Sequence, residues 1–167
     1  MKYLRRLVWF IASRLLALLL VLGVLSVTFY FAMNAMNIYI IIKDGMAKRA
    51  QVVMMDEPIA SLDNYFYSSW LSRDELLLSA QNHTDRYENT SVTGFDHRIS
   101  LQWVWCWPWE STARATITEK IPAIDGKTSS PEGVPHWENA KYSIILSRTG
   151  GNWKIRDITL IERLNHD

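Results

Sequence analysis

With 167 residues, the chain has room for one folded domain beside a membrane segment, but not for two. Its 18 lysines and arginines stand against 17 acids, so the overall charge gives no reason to expect a nucleic-acid partner. A single cysteine, Cys106, excludes an intrachain disulfide, and the fold must stand on its core.

Residues 1–14 read as a basic cytoplasmic tail, since Lys2, Arg5, Arg6 and Arg14 have no acid among them. From Leu15 to Ile42 follow 28 consecutive uncharged residues, opening LLALLLVLGVLSVTFYFAM. A helical span needs about 20 apolar residues. The run 15–42 therefore predicts one transmembrane helix that continues past the bilayer. A secretory signal peptide would have a shorter apolar core, about 7–15 residues, closed by a small-residue cleavage site. No A-x-A triplet follows here. Four basic residues precede the run, against Lys43, Lys48 and Arg49 after it, which puts the N-terminus in the cytoplasm and the rest of the chain outside. Arg14 can snorkel to the headgroups from its place near the helix start. Asn34 and Asn37, in AMNAMN, either bond a neighbouring helix or face headgroup water.

Residues 43–58 carry KDGMAKRAQ and VVMM before Asp56, Glu57 and Pro58, the pattern of a juxtamembrane helix ending near the proline. A domain over 59–162 follows, with 163–167 as a tail. Leu62, Phe66 and Trp70 stand at helical spacing, a break falls near Ser72, and Asp74 and Glu75 open a run of leucines. Two short helices are expected. Asn82 to Phe95 is polar and rich in turn formers, a loop with room for a short strand, and holds sequons at Asn82 and Asn89. The pattern then alternates and predicts four strands: His97 to Trp107, Thr112 to Ile121, Lys141 to Arg148 and Asn152 to Ile161. PWES, a loop from Pro122 to Glu138, and TGG join them. Helices first and an antiparallel meander second imply an α+β domain, with helices on one face of a curved sheet.

KYSIILSRTGGNWKIRDITLIE, Lys141 to Glu162, resembles the terminal hairpin of the nuclear-transport-factor-two-like superfamily, where Y-x-I-x-L, a glycine turn and W-K-I-x-x-I recur. LDNYFYSSWLSRDEL, Leu62 to Leu76, resembles the segment after the long first helix of those proteins. The likeness covers roughly Met46 to Glu162 and implies a cone-shaped domain. A short basic tail, one span and one such domain together are similar to the bitopic subunits of conjugation and type IV secretion machines.

WVWCWPWE places Trp103, Trp105, Trp107 and Trp109 on alternate positions. With PWES as a four-residue loop, Trp107 falls opposite Thr112, Trp105 opposite Arg114, Trp103 opposite Thr116 and Leu101 opposite Thr118. One face then carries Trp103, Trp105, Trp107, Leu101 and Arg114, and the other Cys106, Val104, Gln102, Ala113, Ala115 and Ile117. Trp103, Trp105, Trp107 and Arg114 are the candidate binding residues, with Arg114 placed for cation–π contact. Filling the cone is the competing role for the tryptophans. A membrane-interface belt is disfavoured, because about sixty residues separate Trp103 from Ile42.

His83, Asp85, Asp96 and His97 match no metal-ligand spacing and read as solvated loop residues, while His136 and His166 add little. Enzymes of the resembled fold, such as ketosteroid isomerase and scytalone dehydratase, use pocket Asp, His and Tyr groups. Asp63, Tyr65, Tyr67 and Asp157 are the candidates here, each with an ordinary structural role open to it. No G-x-S-x-G or P-loop occurs, and Cys106 reads as a buried small residue. The expectation is a non-enzymatic, membrane-anchored extracytoplasmic interaction or assembly module, without catalytic residue, metal or cofactor. Its expected partners are the bilayer, other membrane or envelope proteins and a second copy of the chain, with nucleic acid excluded. The alternative is a membrane-anchored small-ligand sensor or enzyme with a tryptophan-lined pocket.

Overall fold

A helix persists until something breaks it, and the first 55 residues hold no proline and only two glycines, Gly23 and Gly45. In the computed structural model, which describes residues 2–165 other than Pro108 and Glu132, they form a single helix, α1 (Lys2–Met55). At 1.5 Å per residue it is about 80 Å long. It stops where Asp56 adopts a left-handed φ of 55°, ahead of Pro58. Segment 43–58 is therefore the end of α1 and its exit, continuous with the apolar run.

That run divides within the helix. Every side chain from Trp9 to Tyr30 is exposed, and the Arg14 guanidinium turns back over Phe10, 5.3 Å from the ring centre. From Asn34 onward one face is covered: Asn34, Ile38, Ile42, Met46 and Ala50, at four-residue steps, are buried. Gly45 permits a close approach to the chain at Tyr65 and Ile155, since a Cβ there would lie 3.1 Å from Tyr65 Cβ and 3.2 Å from Ile155 Cδ1.

Beyond Pro58 come a single 3-10 turn (Ile59–Leu62), α2 (Ser68–Leu71) and α3 (Glu75–Gln81). Leu62, Phe66 and Trp70 are all buried, but not on one helix. Their spacing reports a common inward direction, which the chain meets with two short turns and an extended link between them. In that link Tyr67 N–H donates to the Ile155 carbonyl at 2.9 Å and Ile155 N–H to the Tyr65 carbonyl at 2.7 Å, covering part of a strand edge. Asp74 caps α3 by accepting from Leu76 N–H at 3.0 Å.

Among the described residues six strands form two antiparallel sheets. β2 (Arg98–Trp105), β3 (Thr112–Lys120), β5 (Ala140–Thr149) and β6 (Asn152–Arg163) make a four-stranded sheet in that order. β1 (Thr90–Phe95) pairs with β4 (Ile124–Thr128), so both expected loops contribute a strand. Gly126 explains why those two strands can meet: a Cβ there would fall 2.8 Å from the Ser91 carbonyl oxygen. β5 and β6 are joined by Gly150 and Gly151, with φ of 60° and 91°, the conformation that a two-residue hairpin turn requires. The tail expected from 163 begins later, because β6 includes Arg163 and Leu164 N–H donates to the Asn139 carbonyl at 2.8 Å.

The expected register of β2 and β3 needs two corrections. Trp105 faces Arg114 and Trp103 faces Thr116, but a bulge at Gln102 then pairs Leu101 with Ile117. The extra residue moves Leu101 and Ile99 to the inner side and turns Gln102 outward, where its amide donates to Thr118 Oγ1 at 2.8 Å. At the other end β2 stops at Trp105, so Trp107 lies in the connection to β3 and not opposite Thr112. The core lies between the inner sheet face and the second half of α1, around Ile42, Met46, Leu62, Phe66, Leu77, Ile117, Ile144, Leu146 and Ile155. Each such side chain contributes roughly 1.5–3 kcal/mol by leaving water.

Candidate functional site

Alternation decides which side chains of β2 and β3 face inward. Ala113, Ala115 and Ile117 are buried, and the opposite face carries the candidate residues outward. Trp103, Trp105 and Trp107 are 50%, 42% and 40% exposed, and Trp109 is 76% exposed. They do not fill the interior. Trp70, Trp137 and Trp153 do, each buried.

The four outward indoles form a continuous ladder. Trp103 stacks on Trp105 at 6.3 Å between ring centres, Trp105 meets Trp107 edge-on at 5.0 Å, and Trp107 stacks on Trp109 at 5.0 Å. Such pairs add about 0.5–1.5 kcal/mol each beyond burial of area. Trp109 belongs to the ladder, though it was not among the candidates. The alternation itself would have included it.

The ladder touches α1. Trp105 lies edge-on to Phe31 at 5.9 Å, and Ile99, Ser100 and Leu101 share a shallow groove with Ala32, Ala35, Met36 and Tyr39. The argument from sixty intervening residues is thus overturned, because the hairpin folds back along the apolar helix. Sequence separation does not measure distance in an antiparallel fold.

Arg114 is exposed opposite Trp105, but the cation–π contacts among the described residues belong to other arginines. Arg49 lies over Trp70 at 5.6 Å and Arg148 over Trp153 at 5.8 Å. Arg114 instead lines an open groove of about 490 Å³ with Arg73, Arg156, Ser69, Thr112 and Asp157. Three guanidiniums against one carboxylate make that groove electropositive.

Two buried polar pairs escaped the sequence reading. Arg49 Nε donates to Asp74 Oδ2 at 2.6 Å and Nη2 to Oδ1 at 3.1 Å, a bidentate fork. Burial pulls the Arg49 guanidinium down, but Asp74 more than offsets this, so its pKa is raised. His97 is not a solvated loop residue: its side chain is 7% exposed and its Nε2 lies 2.9 Å from Oε1 of the fully buried Glu119. Glu119 continues the inward series Ala113, Ala115, Ile117, and that series was the available signal. Asp96 pairs with Arg98, and the Asp85 carboxylate accepts from Tyr87 N–H at 2.6 Å. His83 takes a left-handed φ of 52° just after α3. No group of three or more metal-ligating side chains converges among the described residues.

The acid–base candidates do not come together either. The Asp63 carbonyl accepts from Lys154 Nζ at 2.6 Å, the Tyr67 hydroxyl bonds that of Thr149, and Asp157 lines the arginine groove. Tyr65 is half-buried beside Ile155. Cys106 is buried just past the end of β2, and burial pushes its thiol pKa up. His166 lies outside the described residues.

A separate cleft of about 330 Å³ opens between α3 and the segment before β5, lined by Leu76, Tyr87, Trp137, Tyr142 and Val53. Burial pushes the Tyr87 phenol up to about 12. Tyr142 is raised as well, by burial and by the Glu119 charge. Compared with protein-family models, curated proteins and solved structures, the chain matches none.

Proposed function

We propose that this chain is a single-pass membrane protein whose extracytoplasmic domain works by binding and assembly, not by catalysis. The observation that carries the reading is the division of α1. A helix with 22 successive exposed side chains from Trp9 to Tyr30, about 33 Å long, matches a bilayer core of about 30 Å, and its continuation is clasped by a folded domain. Lys2, Arg5, Arg6 and Arg14, against three basic residues after the run, favour a cytoplasmic N-terminus. Arg14 turned toward the N-terminal end fits a snorkelling side chain at the inner surface.

The interior polar side chains support binding over chemistry, since Arg49 pairs with Asp74 and His97 with Glu119. The groove around Arg73, Arg114 and Arg156 offers a site for an acidic segment of a neighbouring membrane or envelope protein. The resemblance to the cone-shaped nuclear-transport-factor-two-like domains, and to bitopic subunits of conjugation and secretion machines, agrees with such a role. Co-purification of detergent-solubilised full-length chain tests it. Arg114→Ala should weaken partner association by about 2 kcal/mol, the hot-spot scale, and unchanged recovery of every partner would refute the groove. Protease added outside intact cells should digest the domain, whereas protection until lysis would reverse the orientation.

One observation favours a second reading, a small-ligand sensor: the cleft edged by Tyr87, Trp137 and Tyr142 is aromatic on three sides. A small molecule carried through purification and released on denaturation would establish it.

A further inference from the structure

Four exposed indoles in water are an anomaly that calls for a covering surface. Three observations identify it. First, β2 meets α1 in reverse order: Ile99 and Leu101 lie by Met36 and Tyr39, and Trp105 lies by Phe31. The strand therefore runs down α1 toward its exposed half, and the connection bearing Trp107 and Trp109 continues from that end. Second, the uncovered apolar stretch of α1 ends at this level, where Phe29 and Tyr30 are exposed beside Phe31. Third, basic groups stand at this level, with Arg114 paired opposite Trp105 and Arg148 neighbouring Tyr30. Indoles prefer the bilayer interface, where the ring is half-desolvated and its N–H meets headgroups, and arginines beside them suit the phosphate level.

We propose that the ladder Trp103–Trp105–Trp107–Trp109 is a second membrane contact, seated in the outer headgroup interface of the bilayer that α1 crosses. It rests on the reading of α1 as a span. The helix alone would leave the domain free to rotate about its axis. The ladder fixes which edge of the sheet lies on the lipid and which way the arginine groove points. The surface that a protein partner can reach is then set by the membrane.

The test uses full-length chain carrying Trp9→Phe, so that no indole lies in the span, in nanodiscs of phosphatidylcholine and phosphatidylglycerol brominated near the glycerol end of the acyl chain. Tryptophan emission should be quenched relative to unbrominated discs. Replacing all four ladder indoles by phenylalanine should abolish most of that quenching. The single exchanges Trp103→Phe and Trp109→Phe, at exposed positions that do not endanger folding, should each remove a part. Quenching that is absent, or equal with and without the ladder, overturns the proposal. If the protein meanwhile resists alkaline-carbonate extraction, the span reading survives and only the ladder contact falls. Extraction by carbonate would overturn both. Absent quenching together with loss of a co-purifying protein in the fourfold variant assigns the ladder to a protein contact instead.

Discussion

The two halves of α1 meet the demand for burial in opposite ways. From Trp9 to Tyr30 every side chain of the helix is exposed and all but Arg14 are uncharged, whereas from Asn34 to Val53 one face is sealed against the sheet and the other is free. A helix that is apolar on every side has no preferred direction and suits a uniform solvent such as lipid. One that gathers charge on one side has a direction, and a domain can be built on it. The lower half is long and apolar enough to cross a membrane, and the upper half forms structure.

The comparison breaks most visibly at Arg49. Removing a partner from a buried pair leaves the other charge uncompensated, so Arg49→Ala should cost about 3–5 kcal/mol in denaturant unfolding of the detergent-solubilised chain. Membrane association should not change. Arg49→Met with Asp74→Asn, which keeps a capping side chain on α3, should recover part of the loss.

The converse substitution is Leu19→Arg, in the uncovered half. Central arginine opposes insertion by about 3 kcal/mol, so a larger share of the protein should become extractable by carbonate, while the domain's unfolding midpoint stays put. A falling midpoint would mean the halves are not independent.

Tyr87 closes over the C-terminal end of α1, sharing a cleft with Val53. Its phenol is raised from 10.0 to about 12 because burial disfavours the tyrosinate. The associated stability is complete below pH 10 and is lost as pH climbs through 12, amounting to roughly 2–3 kcal/mol. Tyr87→Phe should flatten that alkaline limb in a pH series of melts. At neutral pH the change should hold or raise stability, since the buried hydroxyl takes no hydrogen bond among the described residues and its removal relieves an unmet desolvation cost.

The smallest effects come from the two glycines. A Cβ at Gly23 meets nothing within 4 Å, while one at Gly45 presses on Tyr65 and Ile155. Gly45→Leu should destabilise the domain by about 1–3 kcal/mol through overpacking. Gly23→Leu should leave its melt unchanged, and equal effects at both sites would erase the distinction between the halves.

Much of this was legible in the residues. The order of helices and strands, the end of α1 before Pro58, the inward face Ala113, Ala115, Ile117 and the outward set Trp103, Trp105, Arg114 follow from local rules of period, capping and turn chemistry. What escaped notice depended on partners distant in the chain. β1 and β4 are short, polar strands that exist by pairing with each other across Gly126, and Glu119 faces inward because His97 is there to meet it.

The sequence alone determined that a long apolar helix precedes an α+β domain, and that Trp103 and Trp105 point to one side of a hairpin, since both are properties of periodicity within a single segment. Only the tertiary structure decided where the apolar run changes its environment and what lies beside the tryptophans. A bulge at Gln102 and the Phe31–Trp105 contact bring the ladder down against α1. Such contacts join residues some seventy positions apart, and no local pattern encodes them: they follow from the packing of a whole sheet against a whole helix.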